Sequence, residues 1–186
     1  AVAVAIAMRG GSGGSNSSSK TGTTAVGRAA LSVKCPPATG AKSRSISFPA
    51  APKMCIDKNK TYTADIKTDA GDFSVELLTK TAPVTVNNFV FLARNKYFDG
   101  VVYHRVIPGF MIQGGDPQGT GSGGPGYTIA DEFSTDHKFA VGDLAMANTG
   151  SPHSGGSQFF VVTGPQGQSL PASYTWFGKV SKGMSV

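Results

Sequence analysis

The 186-residue chain has two cysteines, three histidines, one tryptophan, and 11 acidic residues against 17 lysines and arginines. Each scarcity removes a class of chemistry. His104, His137 and His153 lie far apart, without the spacing that metal ligands show, and no histidine stands near Cys35 or Cys55. No metal and no cofactor is therefore expected. The glycine-rich stretch "GGDPQGTGSGGPGY" lacks the lysine and following Ser/Thr with which a phosphate loop holds phosphate and magnesium, so it reads as a surface loop. Neither Ser122 nor Ser157 sits in a G-x-S-x-G elbow, which disfavours a serine hydrolase. The apolar run "AVAVAIA" at the start is far shorter than the ~20 residues that a membrane-spanning helix needs.

Acids are missing most of all from one end. Residues 1–60 hold nine Lys/Arg and Asp57 alone, a net of +8; with +6 for the whole chain, residues 61–186 sum to −2. A folded part of slightly negative charge makes a poor phosphate-binding surface, so no nucleic-acid partner is expected. The basic end either rests near anionic lipid or keeps a tail solvated.

The length suits one domain with a tail: a flexible, basic segment over 1–60 and a folded domain over 61–186. "MRGGSGGSNSSSKTGTTAVG" has no acids or aromatics and reads as a linker. Because the chain opens without methionine, "AVAVAIA" reads as the remnant of a transmembrane or signal segment; chance hydrophobicity and a Ser-rich organellar transit peptide stay open beside that reading. Cys35 and Cys55 flank the Pro-rich "CPPATGAKSRSISFPAAPKMC". They form either a disulfide stapling a loose arm in an oxidising compartment, or two free thiols in a cytosolic tail.

What the chain has in quantity is glycine and proline, 25 and 11 residues, which signals many tight turns and short strands. "TYTADIKT" and "DFSVELL" alternate apolar with polar residues about "DAG", a two-stranded hairpin. Next, Val86, Phe89, Val90 and Ala93 recur at helical spacing behind Pro83, with Asp99-Gly100 as the stop. The strands "GVVYHRV", "FMIQGG", "DLAMAN", "SQFFVVT" and "YTWFGKV" follow. A mostly β, antiparallel sheet curled into a barrel with one amphipathic helix on its end is expected.

"YHRVIPGFMIQGGDP" sets one arginine, Arg105, among apolar residues, glycines and prolines, without the acids of a kinase or the nucleophile and base of a hydrolase. Followed by "LAMANTG" and "GSQFFVVT", it resembles the signature of the cyclophilins, the peptidyl-prolyl cis-trans isomerases, from about Thr61 to the last residue. The resemblance implies a closed eight-stranded barrel capped by helices, with a last helix and strand beyond Val186, so that the strand starting near Tyr62 has an open edge. It also implies catalysed rotation about X-Pro bonds in aid of protein folding, with Arg105 as the catalytic donor. Phe110, Met111, Phe160 and Leu170 then line the proline pocket, Gln113 and the backbone around Asn148 hold the substrate's main chain, and Ala147, Gln158 and Tyr174 complete the binding set. Phe91, Phe159 and Phe177 are assigned to the core.

Two positions depart from the family pattern. Ser169 stands before Leu170 where many members have tryptophan, so only weak cyclosporin binding is implied; Tyr174 stands where histidine is common, a change that isomerase activity should survive. The start of the chain resembles membrane-tethered bacterial cyclophilins facing an oxidising exterior, with a cytoplasmic location as the alternative. The implied partners are proline-containing peptides and unfolded proteins, and a monomer is expected. A competing function is a proline-peptide binding or chaperone module with incidental catalysis; Arg105 favours the enzyme, because binding alone requires no transition-state donor.

Overall fold

The computed structural model describes residues 3–10 and 33–186. Strands β2 (Tyr62–Thr68) and β3 (Gly71–Leu77) form the expected hairpin, with Tyr62, Ala64, Ile66, Phe73, Val75 and Leu77 buried. Successive side chains of a strand point to opposite faces, so a period of two buries one whole face. The Thr68 hydroxyl secures the turn by donating to the Gly71 carbonyl at 2.6 Å.

Helix α1 (Pro83–Arg94) follows, and then β4 (Val101–Val102), β5 (Arg105–Ile107), β6 (Met111–Gly114), β7 (Asp143–Met146), β8 (Phe159–Val162) and β9 (Trp176–Lys182). With β1 (Ala3–Gly10) they build one antiparallel sheet in the order β4-β1-β2-β3-β9-β7-β8-β6-β5. Its outermost strands are β4 and β5. The sheet is thus curled but open between them, where a closed eight-stranded barrel is expected from the resemblance.

The edge of β2 also differs from expectation. It is not open: β1 lies along it, from Val4 opposite Thr68 to Gly10 opposite Tyr62, and reaches β4 through Ala3 and Val102. An unpaired strand edge is a row of N–H and C=O groups that an extended apolar segment can satisfy, and "AVAIAMRG" supplies one. No helix among the described residues is long and apolar enough to cross a membrane.

Residues 33–60, assigned by composition to a flexible tail, are laid against the domain. Phe48 is buried beside Phe91, with ring centroids 4.8 Å apart, and Ile56 is buried as well. The main-chain N–H groups of Ala41, Ser45 and Phe48 donate to the carbonyls of Arg94, Asn95 and Pro125 at 2.7, 3.1 and 2.8 Å. Cys35 and Cys55 are joined in a disulfide, with Cα atoms 5.4 Å apart. Composition averages a segment, whereas two well-placed apolar residues and a few main-chain bonds suffice to seat it.

The arm explains why α1 is buried on more than the stripe expected of it: Phe91 and Leu92 are as covered as Phe89 and Val90, because sheet and arm sandwich the helix. The helix also stops earlier than Asp99-Gly100. Asn95 closes its last turn by donating from Nδ2 to the Phe91 carbonyl at 2.9 Å, and Lys96 leaves at φ +56°. At the other end Ala82 offers no side-chain cap. Glu132 does so from 48 and 47 residues away, its carboxylate oxygens accepting the N–H groups of Val84 and Thr85 at 3.0 and 2.8 Å. A negative charge on these orphan donors also meets the positive end of the helix dipole. Glu132→Ala is expected to lower the unfolding free energy by about 1–2 kcal/mol. Denaturant titration measures this, and coincident midpoints for variant and parent would remove Glu132 from the cap.

The strand period splits two adjacent phenylalanines between two cores. Phe159 packs with Phe89, Phe98 and Phe177 under the helix, where Phe91 also lies. Phe160 faces the opposite way and joins Met111, Phe139, Ala145 and Val162 in a second cluster. The candidate site is built on that second face.

Candidate functional site

Strand register assembles the centre of the site. Arg105 on β5 is paired with Gln113 on β6, Gln113 with Phe160 on β8, and Phe160 with Ala145 on β7. Paired residues on neighbouring antiparallel strands share a face and stand about 4.5–5.5 Å apart, so arginine, glutamine and phenylalanine form one cross-strand row. Loops add the walls. Phe110 comes from the β5–β6 turn, where Gly109 takes φ +74°; Ala147 and Asn148 follow β7, and Leu170 follows a 3-10 turn (Pro165–Ser169). Tyr174 precedes β9 and meets Phe160 edge-on, with centroids 5.3 Å apart.

Together these residues line a cavity of about 100 Å³: Arg105, Phe110, Met111, Gln113, Ala147, Asn148, Phe160, Leu170 and Tyr174. Of the ten site residues expected from the sequence, Gln158 alone is outside this lining. It stands behind Gln113 and faces a neighbouring cavity of about 580 Å³ walled largely by the glycine-rich segment. Ser169 is exposed and outside the lining as well, its hydroxyl donating to the Gln166 carbonyl at 2.8 Å.

The polar groups are few and mostly committed. The Arg105 guanidinium is exposed and donates from Nη1 to Gln113 Oε1 at 3.3 Å. Gln113 Nε2 donates to Gln158 Oε1 at 2.9 Å, and Gln158 Nε2 donates to the carbonyls of Gly121 and Gly123 at 2.9 and 3.0 Å. Both ends of the Asn148 amide serve the wall: Nδ2 donates to the Ser173 carbonyl at 2.9 Å and Oδ1 accepts the Gly150 N–H at 3.1 Å. Its main chain is what remains for a ligand.

None of the lining residues is an acid, a histidine or a hydroxyl nucleophile activated by a base. His137 pairs with Asp143 at 2.8 Å and stacks on Trp176 at 3.6 Å, while His153 pairs with Asp131 at 3.3 Å. Among the described residues no group of three or more His, Cys, Asp or Glu is placed to hold a metal ion. Ser157 is buried, its hydroxyl donating to the Gly115 carbonyl at 2.7 Å. The arrangement can seat one apolar ring and point guanidinium and amide donors at its edge.

Sequence reading missed Asp116. This residue is fully buried. Its Oδ1 accepts the Gln118 N–H at 2.8 Å, and its Oδ2 accepts the N–H groups of Thr120, Gly121 and Gly123 at 2.9, 2.6 and 3.1 Å, with the Thr120 hydroxyl at 3.1 Å. Burial pushes its carboxyl up, but the hydrogen bonds from Gln118, Gly123, Gly121 and Thr120 outweigh that effect and hold it at about 2. The signal was an aspartate just before "PQGTGSGG": such a side chain collects the N–H groups of the turn that follows it.

Comparison with known proteins agrees with this geometry. The family model for the cyclophilin type peptidyl-prolyl cis-trans isomerase/CLD matches residues 63–186. A peptidyl-prolyl cis-trans isomerase of Schizosaccharomyces pombe is 46% identical over 126 residues, covering 66% of this chain and 80% of the relative. One of Bacillus subtilis is 49% identical over 117 residues, covering 62% and 80%. The crystal structure of a cyclophilin type isomerase of Cryptosporidium parvum superposes with a TM-score of 0.63 at 36% identity, covering 66% of this chain and 79% of that one. An apolar pocket built on one cross-strand row, a single guanidinium at its rim and this family match lead to one conclusion: the chain belongs to the cyclophilin-type peptidyl-prolyl cis-trans isomerases and carries their activity.

Proposed function

We propose that Arg105 is the catalytic donor, and that the enzyme turns X-Pro bonds in extended or unfolded protein segments outside the reducing cytoplasm. The row of Arg105, Gln113 and Phe160 carries the first part. An X-Pro amide crosses a barrier of ~18–20 kcal/mol because twisting the bond breaks its resonance. No bond is made or cleaved, so no acid, base or nucleophile is required. Phe110, Met111, Phe160, Leu170 and Tyr174 grip the proline ring while the flanking chain rotates. As conjugation is lost, the prolyl nitrogen becomes pyramidal and its lone pair becomes an acceptor. An N–H of Arg105 not engaged by Gln113 donates to it, a bond that is strong in the twisted state and absent in the planar one. Gln113 and the main chain at Asn148 hold the substrate's backbone. A crystal structure of the Cryptosporidium parvum relative was obtained in the presence of the dipeptide Ala-Pro, which supports a proline-containing ligand.

The Cys35–Cys55 disulfide carries the second part, since such a bond persists in oxidising compartments. Differential alkylation and mass spectrometry of the protein from its native source test it: the linked pair is expected, and two free thiols would overturn the location. Cyclosporin is expected to inhibit weakly, because exposed Ser169 offers no flat indole and no indole N–H. Ser169→Trp should tighten inhibition; tight inhibition of the parent, or no gain in the variant, would refute this reading.

A further inference from the structure

We propose that Asp116 is a positioning residue for Arg105, acting through the glycine-rich loop and two glutamines. The proposal rests on Arg105 being the catalytic donor. It begins from the polarity of the hydrogen bonds. Asp116 takes the N–H groups of Thr120, Gly121 and Gly123 to its own side, while the carbonyls of Gly121 and Gly123 meet Gln158.

Carbonyls only accept, so the Gln158 amide must turn its NH₂ to them, which leaves Oε1 toward Gln113. Gln113 must answer with its own NH₂, and its Oε1 is then left facing Arg105. Either glutamine reversed would set NH₂ against NH₂ or against the guanidinium. The loop thus dictates, two side chains away, that the guanidinium finds an acceptor. An exposed arginine samples many rotamers, and this contact is what holds Arg105 beside the pocket.

Two further observations fit. With its carboxyl held at about 2, Asp116 remains an anion, and an acceptor only, across any ordinary assay range. A Cβ at Gly123 would collide with the Asp116 carboxylate and the Gln118 side chain, so the loop approaches the aspartate as closely as only glycine allows.

The test is steady-state isomerisation of an X-Pro peptide by the whole chain carrying Asp116→Asn or Gly123→Ala, with peptide affinity measured separately. Each variant should lose about fivefold or more in kcat, with peptide Kd within twofold of the parent. The NMR signal of the Arg105 side-chain Nε–H should report a more mobile guanidinium. In an Arg105→Ala background, Asp116→Asn should change kcat/KM by less than about twofold, because residues that act as one unit are not additive. Gln158→Leu interrupts the same chain at a half-buried position and, in protein shown to be folded, should likewise lower kcat rather than raise KM. Full kcat in folded Asp116→Asn, an undiminished loss in the Arg105→Ala background, or a KM effect alone in Gln158→Leu would overturn the proposal. An Arg105→Ala enzyme with parental turnover would instead overturn the assignment of Arg105 itself.

Discussion

Arg105→Ala is expected to lower kcat/KM for an X-Pro peptide at least tenfold, roughly 1.4 kcal/mol or more of transition-state stabilisation, while leaving the unfolding midpoint almost unchanged. The two halves of this expectation have separate grounds. The side chain is exposed and, among the described residues, makes a single 3.3 Å hydrogen bond to Gln113, so little of the fold depends on it. Among the described residues it is also the one cation lining a pocket that offers no other charged group. Arg105→Lys should fall between parent and alanine variant, because an ammonium is a mobile point charge without the planar fork that the proposed role needs to reach Gln113 and the prolyl nitrogen together. A protease-coupled isomerisation assay on the three proteins gives the answer. Parental turnover in the alanine variant would leave the pocket as a proline-binding module whose catalysis does not use the guanidinium.

Replacing both Cys35 and Cys55 by serine should lower the unfolding free energy by about 3 kcal/mol, the chain-entropy value for closing a loop of this length. The two residues are 20 apart in sequence. The loop they close includes Phe48, which packs on Phe91 and Tyr127, and it ends where Asn87 of α1 accepts the Cys55 N–H at 2.6 Å. Without the cross-link, this packing and the main-chain bonds to Arg94, Asn95 and Pro125 must hold the arm alone. Turnover well below the unfolding transition should not change, because every residue lining the pocket lies between Arg105 and Tyr174. Thermal and denaturant unfolding of the oxidised parent and the double serine variant, with kcat/KM at low temperature, measures both effects. Equal midpoints would show that the arm is seated without help from the disulfide, and a fall in kcat/KM would show that it reaches the site.

Local pattern determined a good part of this protein. The alternation over Tyr62–Leu77 specified a hairpin, and the spacing of Val86, Phe89, Val90 and Ala93 specified a helix. Both periods are properties of the backbone itself, so a short window of sequence suffices to read them. The site itself was legible through the resemblance of the stretch from Tyr103 to Pro117 and two later motifs to the cyclophilins, and nine of the ten residues which that resemblance implied line one cavity.

Tertiary structure decided what no window contains. Residues 33–60 lie on α1 because Phe48 finds Phe91, a contact that composition averages away. The edge of β2 is covered by β1, since any extended segment can satisfy an unpaired edge and its own sequence does not name which. Glu132 caps a helix that begins 49 residues before it, and Asp116 turns the glutamine pair toward Arg105 through a loop whose composition reads only as surface. Each of these depends on which donor meets which acceptor across a long separation. Propensity and periodicity describe a residue's own turn or strand, whereas partner choice is settled only when the whole chain has packed.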